Sequence, residues 1–250
     1  MNALMGRIFA VELRDELRAI VREPTSLFFG IIMPVGLFLM FNLLYGHQVA
    51  AAGGLSAGTA MVATFGTYGV ITVASLQPGV GVASNRDVGW LRMKQVSAVP
   101  IGISLAAKAV AALLYGVGVL LAMGIAATAL GTLHAAPLAL LRLVVVLLLG
   151  TIPFTLLSVA VGLRLRTNAT TAVLNAFLFP LSILSGLWIP VQFLPKVIGE
   201  IAKFLPTYHL AQLGLAQLGD GTAMIHVLAL LITTVVAAGI AAMSYRHARI

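Results

Sequence analysis

Carboxylates are the side chains in this sequence that could carry a proton or a metal ion across a membrane, so their positions are considered first. The seven acidic residues are Glu12, Asp15, Glu16, Glu23, Asp87, Glu200 and Asp220, and none falls within a long apolar segment. Proton- and sodium-coupled carriers usually bind the coupling ion through an intramembrane carboxylate. The pattern counts against a stand-alone secondary transporter, which stays open as an alternative because backbone atoms can also bind ions.

A serine and a histidine could act as nucleophile and base, as in an intramembrane serine protease. Ser185 ends one apolar segment with Gly186 behind it, and His226 begins the next segment. The usual nucleophile signature has a glycine two residues before the serine, and Ile183 occupies that position here. The protease is therefore a less favoured alternative.

Nucleotide and metal binding are not predicted for this chain. A P-loop requires a lysine followed by serine or threonine, and no lysine in the sequence has such a neighbour. The five histidines lack the i,i+4 spacing of metal ligands, and there are no cysteines. We expect no catalytic residue, metal site or cofactor on this chain. If ATP drives it, a partner chain binds the ATP and Mg²⁺.

The secondary structure that positions the acidic, serine and histidine side chains is predicted to consist of membrane helices. Hydrophobic residues make up 60% of the 250-residue chain and charged residues only 9%, and the mean hydropathy is +1.07. A soluble domain has about 25% charged residues, so the sequence predicts an all-α integral membrane protein. Six spanning helices are predicted, at 26–45, 58–82, 102–130, 138–162, 169–188 and 223–244.

The distribution of basic residues predicts the orientation in the membrane. Eleven basic residues fall in one set of connecting segments and three in the opposite set. The positive-inside rule then places both termini in the cytoplasm, and we expect the chain in the cell membrane. Lys108, early in the third helix, is expected to extend its side chain back to the cytoplasmic face. This bias accounts for the formal charge of +8, so nucleic acid is not a predicted partner.

An amphipathic helix is predicted before the first span, over residues 7–22. Its apolar face consists of Phe9, Leu13, Leu17, Ile20 and Val21. The opposite, basic face consists of Arg7, Arg14, Arg18 and Arg22. Such a helix lies in the headgroup layer, either as a simple anchor or as a lever parallel to the membrane. The chain therefore divides into an interfacial helix, 1–25, and a six-helix transmembrane domain, 26–250.

The segment before the last span is punctuated by Pro190, Pro195 and Pro206. A short amphipathic helix lies between the last two prolines, and a second short segment runs from Tyr208 to Leu218. Both pieces are too short to cross about 30 Å of hydrocarbon. We therefore expect re-entrant helices on the outer side of the membrane.

The segment between the second and third predicted spans, 84–100, mixes apolar and charged residues. Ser84 or Asn85 is expected to cap a short helix here, with Asp87 near its positive end. A surface helix that combines Trp, Met and Arg has the composition of a protein–protein contact. A solvated connector with an interfacial tryptophan is the other interpretation of the same residues.

Two segments carry a resemblance to a known family. The sequence RDVGWLRMKQVSAVPIGISLAAKAVAALL, 86–114, resembles the first cytoplasmic loop and third helix of permeases of type-2 ABC exporters. The segment 184–213 is similar to the family's outer re-entrant segment, which ends in L-P-x-Y-H. Ala98 departs from the pattern, since many members have a proline two residues before Pro100. The resemblance extends over essentially the whole chain.

The resemblance implies a homodimer with six helices per chain and two copies of a separate cytoplasmic ATPase. It implies that the ATPase docks on Arg86, Asp87, Gly89, Trp90, Leu91, Arg92, Met93 and Lys94, with the 7–22 helix beside this contact. Substrate would pass between the two permease chains, below the re-entrant residues Pro190, Pro195, Pro206, Tyr208 and His209. Family substrates include hydrophobic drugs, lipids, glycolipids and polysaccharides.

Overall fold

Helices make up the regular structure of the computed structural model, which describes residues 2–22, 27–48, 55–89, 101–219 and 221–247. Over these residues there is a π-helical turn at Phe28–Ile32 and a 3₁₀ turn at Val191–Phe193. The α-helices of the same residues are α1 (Asn2–Arg22), α2 (Met33–Tyr45), α3 (Ala57–Asp87), α4 (Ile101–Ala129), α5 (Pro137–Leu149), α6 (Ile152–Gly162), α7 (Thr167–Leu184), α8 (Lys196–Ala202), α9 (Pro206–Leu218) and α10 (Met224–His247).

Six segments of this structure are long and apolar enough to cross a membrane, as the sequence predicts. The first span joins the π-helical turn to α2, over Phe28–Tyr45, and the fourth joins α5 to α6, over Pro137–Gly162. The other spans are α3, α4, α7 and α10 in chain order. The all-α membrane fold with six spans is therefore confirmed.

The two span ends that differ most from the prediction each lie near a glycine with a positive φ. The second span continues to Asp87 instead of ending at residue 82, and Gly89 follows with a φ of +74°. The fifth span ends at Leu184 instead of 188, because Gly186 adopts a φ of +72° and the Leu187 nitrogen donates back to the Ser182 carbonyl at 3.0 Å. Glycine permits this left-handed helix ending without steric cost.

The second span is the centre of the bundle, with 78% of its apolar window buried. It packs against the first, third, fourth and fifth spans. Glycines allow the neighbouring helices to approach closely. A methyl group added at Gly79 would lie 2.8 Å from the carbonyl oxygen of Ser158 in the fourth span. The packing therefore depends on small residues at the contact points.

Helix α1 packs its apolar side against the third span. Ile20 is buried, and Leu13 and Leu17 pack against the same core. The basic face is exposed, as predicted, at Arg7, Arg14, Arg18 and Arg22. Val21, which the prediction placed on the apolar face, is 67% exposed. It lies about 100° around the helix from Ile20 and so turns away from the contact.

Hydrogen bonds between spans distinguish the two ends of the bundle. At one end, Lys108 contacts α1 and Arg86 contacts Leu163; we call this the α1 end. At the other, the hydroxyl of Thr132 donates to the side-chain oxygen of Asn42; we call this the far end. The two ends hold different groups of side chains, which are described separately.

Candidate docking site

The predicted docking segment begins where the second span ends. Arg86 and Asp87 are the last residues of α3, and Val88 and Gly89 form a turn beyond it. The helical hydrogen bonds continue through Ser84, whose carbonyl accepts from the Val88 nitrogen at 3.1 Å. The prediction of a separate short helix capped by Ser84 or Asn85 is therefore wrong. The predicted contact residues Trp90, Leu91, Arg92, Met93 and Lys94 lie outside the described residues.

Asp87 lies at a C-terminal helix end and caps the N-terminus of another helix. Its Oδ2 atom accepts hydrogen bonds from the Thr167 backbone nitrogen at 2.8 Å and from the Thr167 hydroxyl at 2.7 Å. Thr167 is the first residue of α7, the fifth span. The first backbone N–H groups of a helix have no partner within it, so the carboxylate satisfies one of them.

Arg86 adds a second contact to the same connection. Its Nη1 atom donates to the carbonyl oxygen of Leu163 at 2.6 Å, and its Nη2 atom lies 3.6 Å from Asp87 Oδ1. Leu163 follows the fourth span directly, so the end of the second span contacts both sides of the connection 163–166. Arg86 and Asp87 thus bind the chain's own second connection at the α1 end. The sequence offered no signal for this pairing.

The surface at this end is formed jointly by the two connections. Val88 is 76% exposed just before the docking segment continues. Arg164 and Arg166 are exposed on the second connection, and neither guanidinium has an ion pair or hydrogen bond in the part of the chain that the structure describes. Exposed apolar and cationic side chains at one end of the bundle have a composition suited to binding another macromolecule.

A buried ion pair connects α1 to the third span. Lys108 Nζ lies 2.6 Å from Glu16 Oε1, and the side chain of Lys108 is only 7% exposed. Lys108 was expected to extend its side chain to the cytoplasmic face; it reaches Glu16 on α1, a partner that the prediction did not include. Glu16 lies on the same side of α1 as the apolar residues Leu13, Leu17 and Ile20. A carboxylate on the side of a helix that packs against the protein needs a partner, so the pair could have been predicted from this position.

The three prolines before the last span each precede or begin a helical turn. Pro190 precedes the 3₁₀ turn, Pro195 precedes α8, and Pro206 is the first residue of α9. Proline is favoured at these positions because its fixed φ suits the start of a helix and its missing N–H is not needed there. The prolines thus account for the three short pieces between the fifth and sixth spans.

Tyr208 and His209 are brought together with a third residue, His226 of α10. The Nδ1 atoms of the two histidines lie 2.9 Å apart, and the Tyr208 ring contacts both imidazoles edge-on. Burial lowers the pKa of His209, while a backbone hydrogen bond with Lys203 opposes that shift. The pair ties α9 to the beginning of the sixth span. His226 was absent from the predicted group because sequence separation hides the contact.

The two residues considered for a protease have other partners. The hydroxyl of Ser185 forms a buried hydrogen bond with the hydroxyl of Thr207. His226 bonds with His209 as described above. Within the described residues, these two side chains do not form the hydrogen-bonded nucleophile and base that serine protease chemistry requires.

A buried polar cluster joins the first three spans at the far end. The carbonyl oxygen of Thr132 accepts hydrogen bonds from the hydroxyls of Ser56 and Thr59, at 3.0 and 3.2 Å. The Thr132 hydroxyl donates to Asn42 Oδ1 at 2.8 Å. Asn42, Thr59 and Thr132 are at most 1% exposed. Short polar side chains at helix ends carry no strong pattern, so sequence reasoning missed this cluster.

Two comparisons with known proteins concern membrane transport. A family model described as "ABC-2 type transporter" matches residues 8–218. A curated protein of Bacillus subtilis (strain 168), named "Putative transport permease YvfS", is 21% identical over 209 residues. That similarity covers 84% of this chain and 82% of the relative.

Proposed function

The chain belongs to the ABC-2 type transporter family, and from that premise we propose that it is the membrane subunit of an ATP-driven exporter whose ATPase is a separate chain. Members of this family are transport permeases rather than catalysts, and the family implies an ATPase partner. The observation that carries the proposal is the family match over 8–218 in a sequence with no P-loop lysine. If ATP drives transport, another chain then binds it.

The proposed orientation places the α1 end in the cytoplasm and the far end outside the cell membrane. The basic residues concentrate in the segments that lie at the α1 end, which is the distribution the positive-inside rule favours for a cytoplasmic surface. The exposed arginines of α1 then face anionic headgroups, with α1 parallel to the membrane. The pieces between Pro190 and Leu218 enter the membrane from outside and cover the substrate path.

The proposed docking segment is 86–94. Two ATPase chains bind ATP and Mg²⁺, close on each other, and push on this segment in each permease chain. Because Asp87 and Arg86 bind the connection 163–166 and the start of α7, that push reaches the fifth span as well as the second. The substrate path opens when these spans shift.

A second copy of the chain is proposed on the exposed side of the fifth span. Asn175 is exposed on α7, and among the residues that the structure describes its amide nitrogen donates only to the Thr171 carbonyl of the same helix, at 2.9 Å. A polar amide facing hydrocarbon is costly, whereas helix–helix contacts accept polar and small residues such as Ala172 and Ala176. The exposed side of α10 carries apolar residues suited to lipid, among them Leu228, Ile232 and Val235. Hydrophobic, glycolipid or polysaccharide substrates would pass between the two copies.

The proposal is tested by purifying the tagged protein from its native cell in mild detergent. We expect an ATPase to co-purify, with vanadate-sensitive hydrolysis. Charge reversal at Arg92 and Lys94 is expected to abolish ATP-dependent export while the protein stays in the membrane, and Trp90→Ala is expected to weaken ATPase association. Normal export by the charge-reversed protein would rule out this docking segment.

The stand-alone secondary transporter predicts a different result. The protein would purify without an ATPase in several detergents, and transport in liposomes would follow an imposed proton or sodium gradient without ATP. Ion-driven transport by the purified chain alone would replace the ATP-driven proposal.

A further inference from the structure

A groove along the exposed flank of α1 is lined by apolar side chains on one side and by arginines on the other. Its volume is about 460 Å³, and its lining includes Leu13, Leu17, Val21, Arg14, Arg18 and Arg22. We propose that this groove is a discrete binding site for one anionic phospholipid, with the phosphate on the arginines and the upper acyl chain on the apolar side chains. Such a site goes beyond the general attraction of a basic helix to headgroups, because it selects the lipid and holds it in one place.

The two kinds of side chain form parallel rows on the helix. Leu13, Leu17 and Val21 follow one another at intervals of four residues, and so do Arg14, Arg18 and Arg22. Residues four apart lie on one face of an α-helix, so each row continues for about 12 Å along α1. A phospholipid has the same arrangement, since its phosphate is joined through glycerol to its acyl chains. The groove therefore matches a lipid in both charge and polarity.

The apolar row is left partly uncovered by the protein. Leu13 and Leu17 are only partly buried against the core, and Val21 is 67% exposed. The ion pair between Glu16 and Lys108, at 2.6 Å, ties α1 to the third span, so Val21 keeps this orientation. An exposed valine at the membrane interface is stabilised when hydrocarbon covers it. The acyl chain of an adjacent lipid supplies that hydrocarbon.

The basic row is available to bind an anion. Arg14, Arg18 and Arg22 are exposed, and within the described residues none of them forms an ion pair with a carboxylate. The acidic residues Glu12 and Asp15 of the same helix do not line the groove. Guanidinium groups bind phosphate through paired hydrogen bonds. Because no described acidic side chain lines the groove, the ammonium group of a zwitterionic lipid would have no counter-charge there, and an anionic headgroup is favoured.

Lipid binding by the purified protein tests the site without any contribution from the ATPase. Native mass spectrometry in detergent counts the molecules of dioleoyl phosphatidylglycerol or dioleoyl phosphatidylcholine that each chain retains. We expect the natural protein to bind phosphatidylglycerol about tenfold more tightly than phosphatidylcholine. Arg18→Gln should weaken phosphatidylglycerol binding about tenfold, because a charge-assisted hydrogen bond is lost. Val21→Asn should weaken it about fivefold, because the acyl chain loses an apolar contact.

Arg7→Gln is the matched control for the loss of one positive charge. Arg7 is exposed on the same basic face of α1 but does not line the groove. The control should bind phosphatidylglycerol as tightly as the natural protein does. Equal weakening by Arg7→Gln and Arg18→Gln, with no effect of Val21→Asn, would overturn the discrete site and leave only a diffuse attraction to headgroups.

Photocrosslinking identifies the occupant of the groove in a bilayer. The natural chain has no cysteine, so a short photoactivated crosslinker can be attached at a single introduced cysteine. Ala10→Cys places it in the groove, and Ala19→Cys places it on exposed α1 surface outside the groove. In nanodiscs that contain equal amounts of the two lipids, we expect adducts from residue 10 to be enriched in phosphatidylglycerol about fivefold over those from residue 19. Equal enrichment at both positions, or a crosslink from residue 10 to another protein chain in native membranes, would overturn the lipid assignment.

Discussion

Asp87, the last residue of the second span, accepts hydrogen bonds from both the backbone nitrogen and the hydroxyl of Thr167, the first residue of the fifth span. The residue before Thr167 usually supplies such a cap, but it is Arg166, which has no side-chain acceptor and makes no capping bond. A residue 80 positions earlier in the chain therefore performs this role. Two spans that are not consecutive are connected at their α1 ends.

Removal of the Asp87 carboxylate should loosen this connection. We expect Asp87→Ala to lower the thermal unfolding midpoint in detergent and to reduce export, because the first turn of α7 loses its acceptor. Asp87→Asn keeps an oxygen acceptor and should retain much more of both properties. Asp15→Ala, at an exposed acid of α1, is the control for charge alone. Equal midpoints for the alanine variant and the natural protein would contradict the capping role.

The ion pair between Glu16 and Lys108 should matter more to stability when broken than when replaced. Glu16→Gln leaves an ammonium group that is 7% exposed without its counter-charge, and we expect a loss of about 2 kcal/mol of unfolding free energy. Joint replacement of Glu16 and Lys108 by leucine should recover most of it, because no charge is then buried. Reversible unfolding in mixed detergents measures both. A double variant less stable than Glu16→Gln would count against this account.

Close packing of the second and fourth spans should make Gly162 intolerant of any side chain. A methyl group at Gly162 would collide with the Gly79 carbonyl oxygen and lie 3.1 Å from its carbon, and backbone atoms cannot rotate away. We expect Gly162→Ala to cost about 2 kcal/mol of stability. Gly124→Ala, in a span where an added methyl group meets nothing within 4 Å, should be nearly neutral. Folded yield and thermal midpoint compare the two variants, and similar values for both would refute this packing explanation.

The six spans could be predicted because each must shield its backbone in hydrocarbon with its own apolar side chains, and that requirement is visible in a single stretch of sequence. The exact ends of the spans were harder to predict, because they depend on the backbone conformation of nearby glycines. The apolar composition continues past Ile183, but the left-handed backbone of Gly186 ends the helix at Leu184. Hydropathy does not report the sign of φ, so the boundary was misplaced by four residues.

The contacts of the candidate site could not be predicted, because they join residues that are far apart in the sequence. Lys108 was expected to reach the membrane surface because only its own helix was considered, and its actual partner, Glu16, lies 92 residues earlier. Asp87 was assigned to the start of a helix for the same reason. Residues 86 and 87 were predicted as functional from the family resemblance, while their contacts with Leu163 and Thr167 required the structure.

The histidine pair at the far end should make stability depend on pH. A hydrogen bond between the Nδ1 atoms of His209 and His226, 2.9 Å apart, needs one nitrogen without a proton, so a second proton both breaks the bond and places two cations together.

Burial lowers the pKa of His209 below its ordinary 6.5, so the unfolded chain binds more protons than the folded one once the pH falls below about 6.5. Stability is therefore highest above that pH and decreases as the pH falls toward the folded pKa. The described neighbours offer little compensation: the Tyr208 ring contacts both imidazoles, Lys203 contributes a backbone bond to His209, and Glu200 is paired with Lys203 at 2.7 Å.

The test is the thermal midpoint of the purified protein between pH 7.5 and 5.0. We expect the natural protein to lose stability across this range, while His209→Gln shows a flatter dependence because its side chain cannot take up a proton. His247→Gln, at an exposed position, should follow the natural protein. Because α9 also packs against the second and fourth spans, loss of the pair on acidification should loosen its contact with α10 without detaching it from the bundle. Protease cleavage between α9 and α10 that increases at low pH only in proteins with both histidines would show this directly. An unchanged midpoint in the natural protein, or an equal decline in His209→Gln, would exclude the pair as the source of the pH dependence.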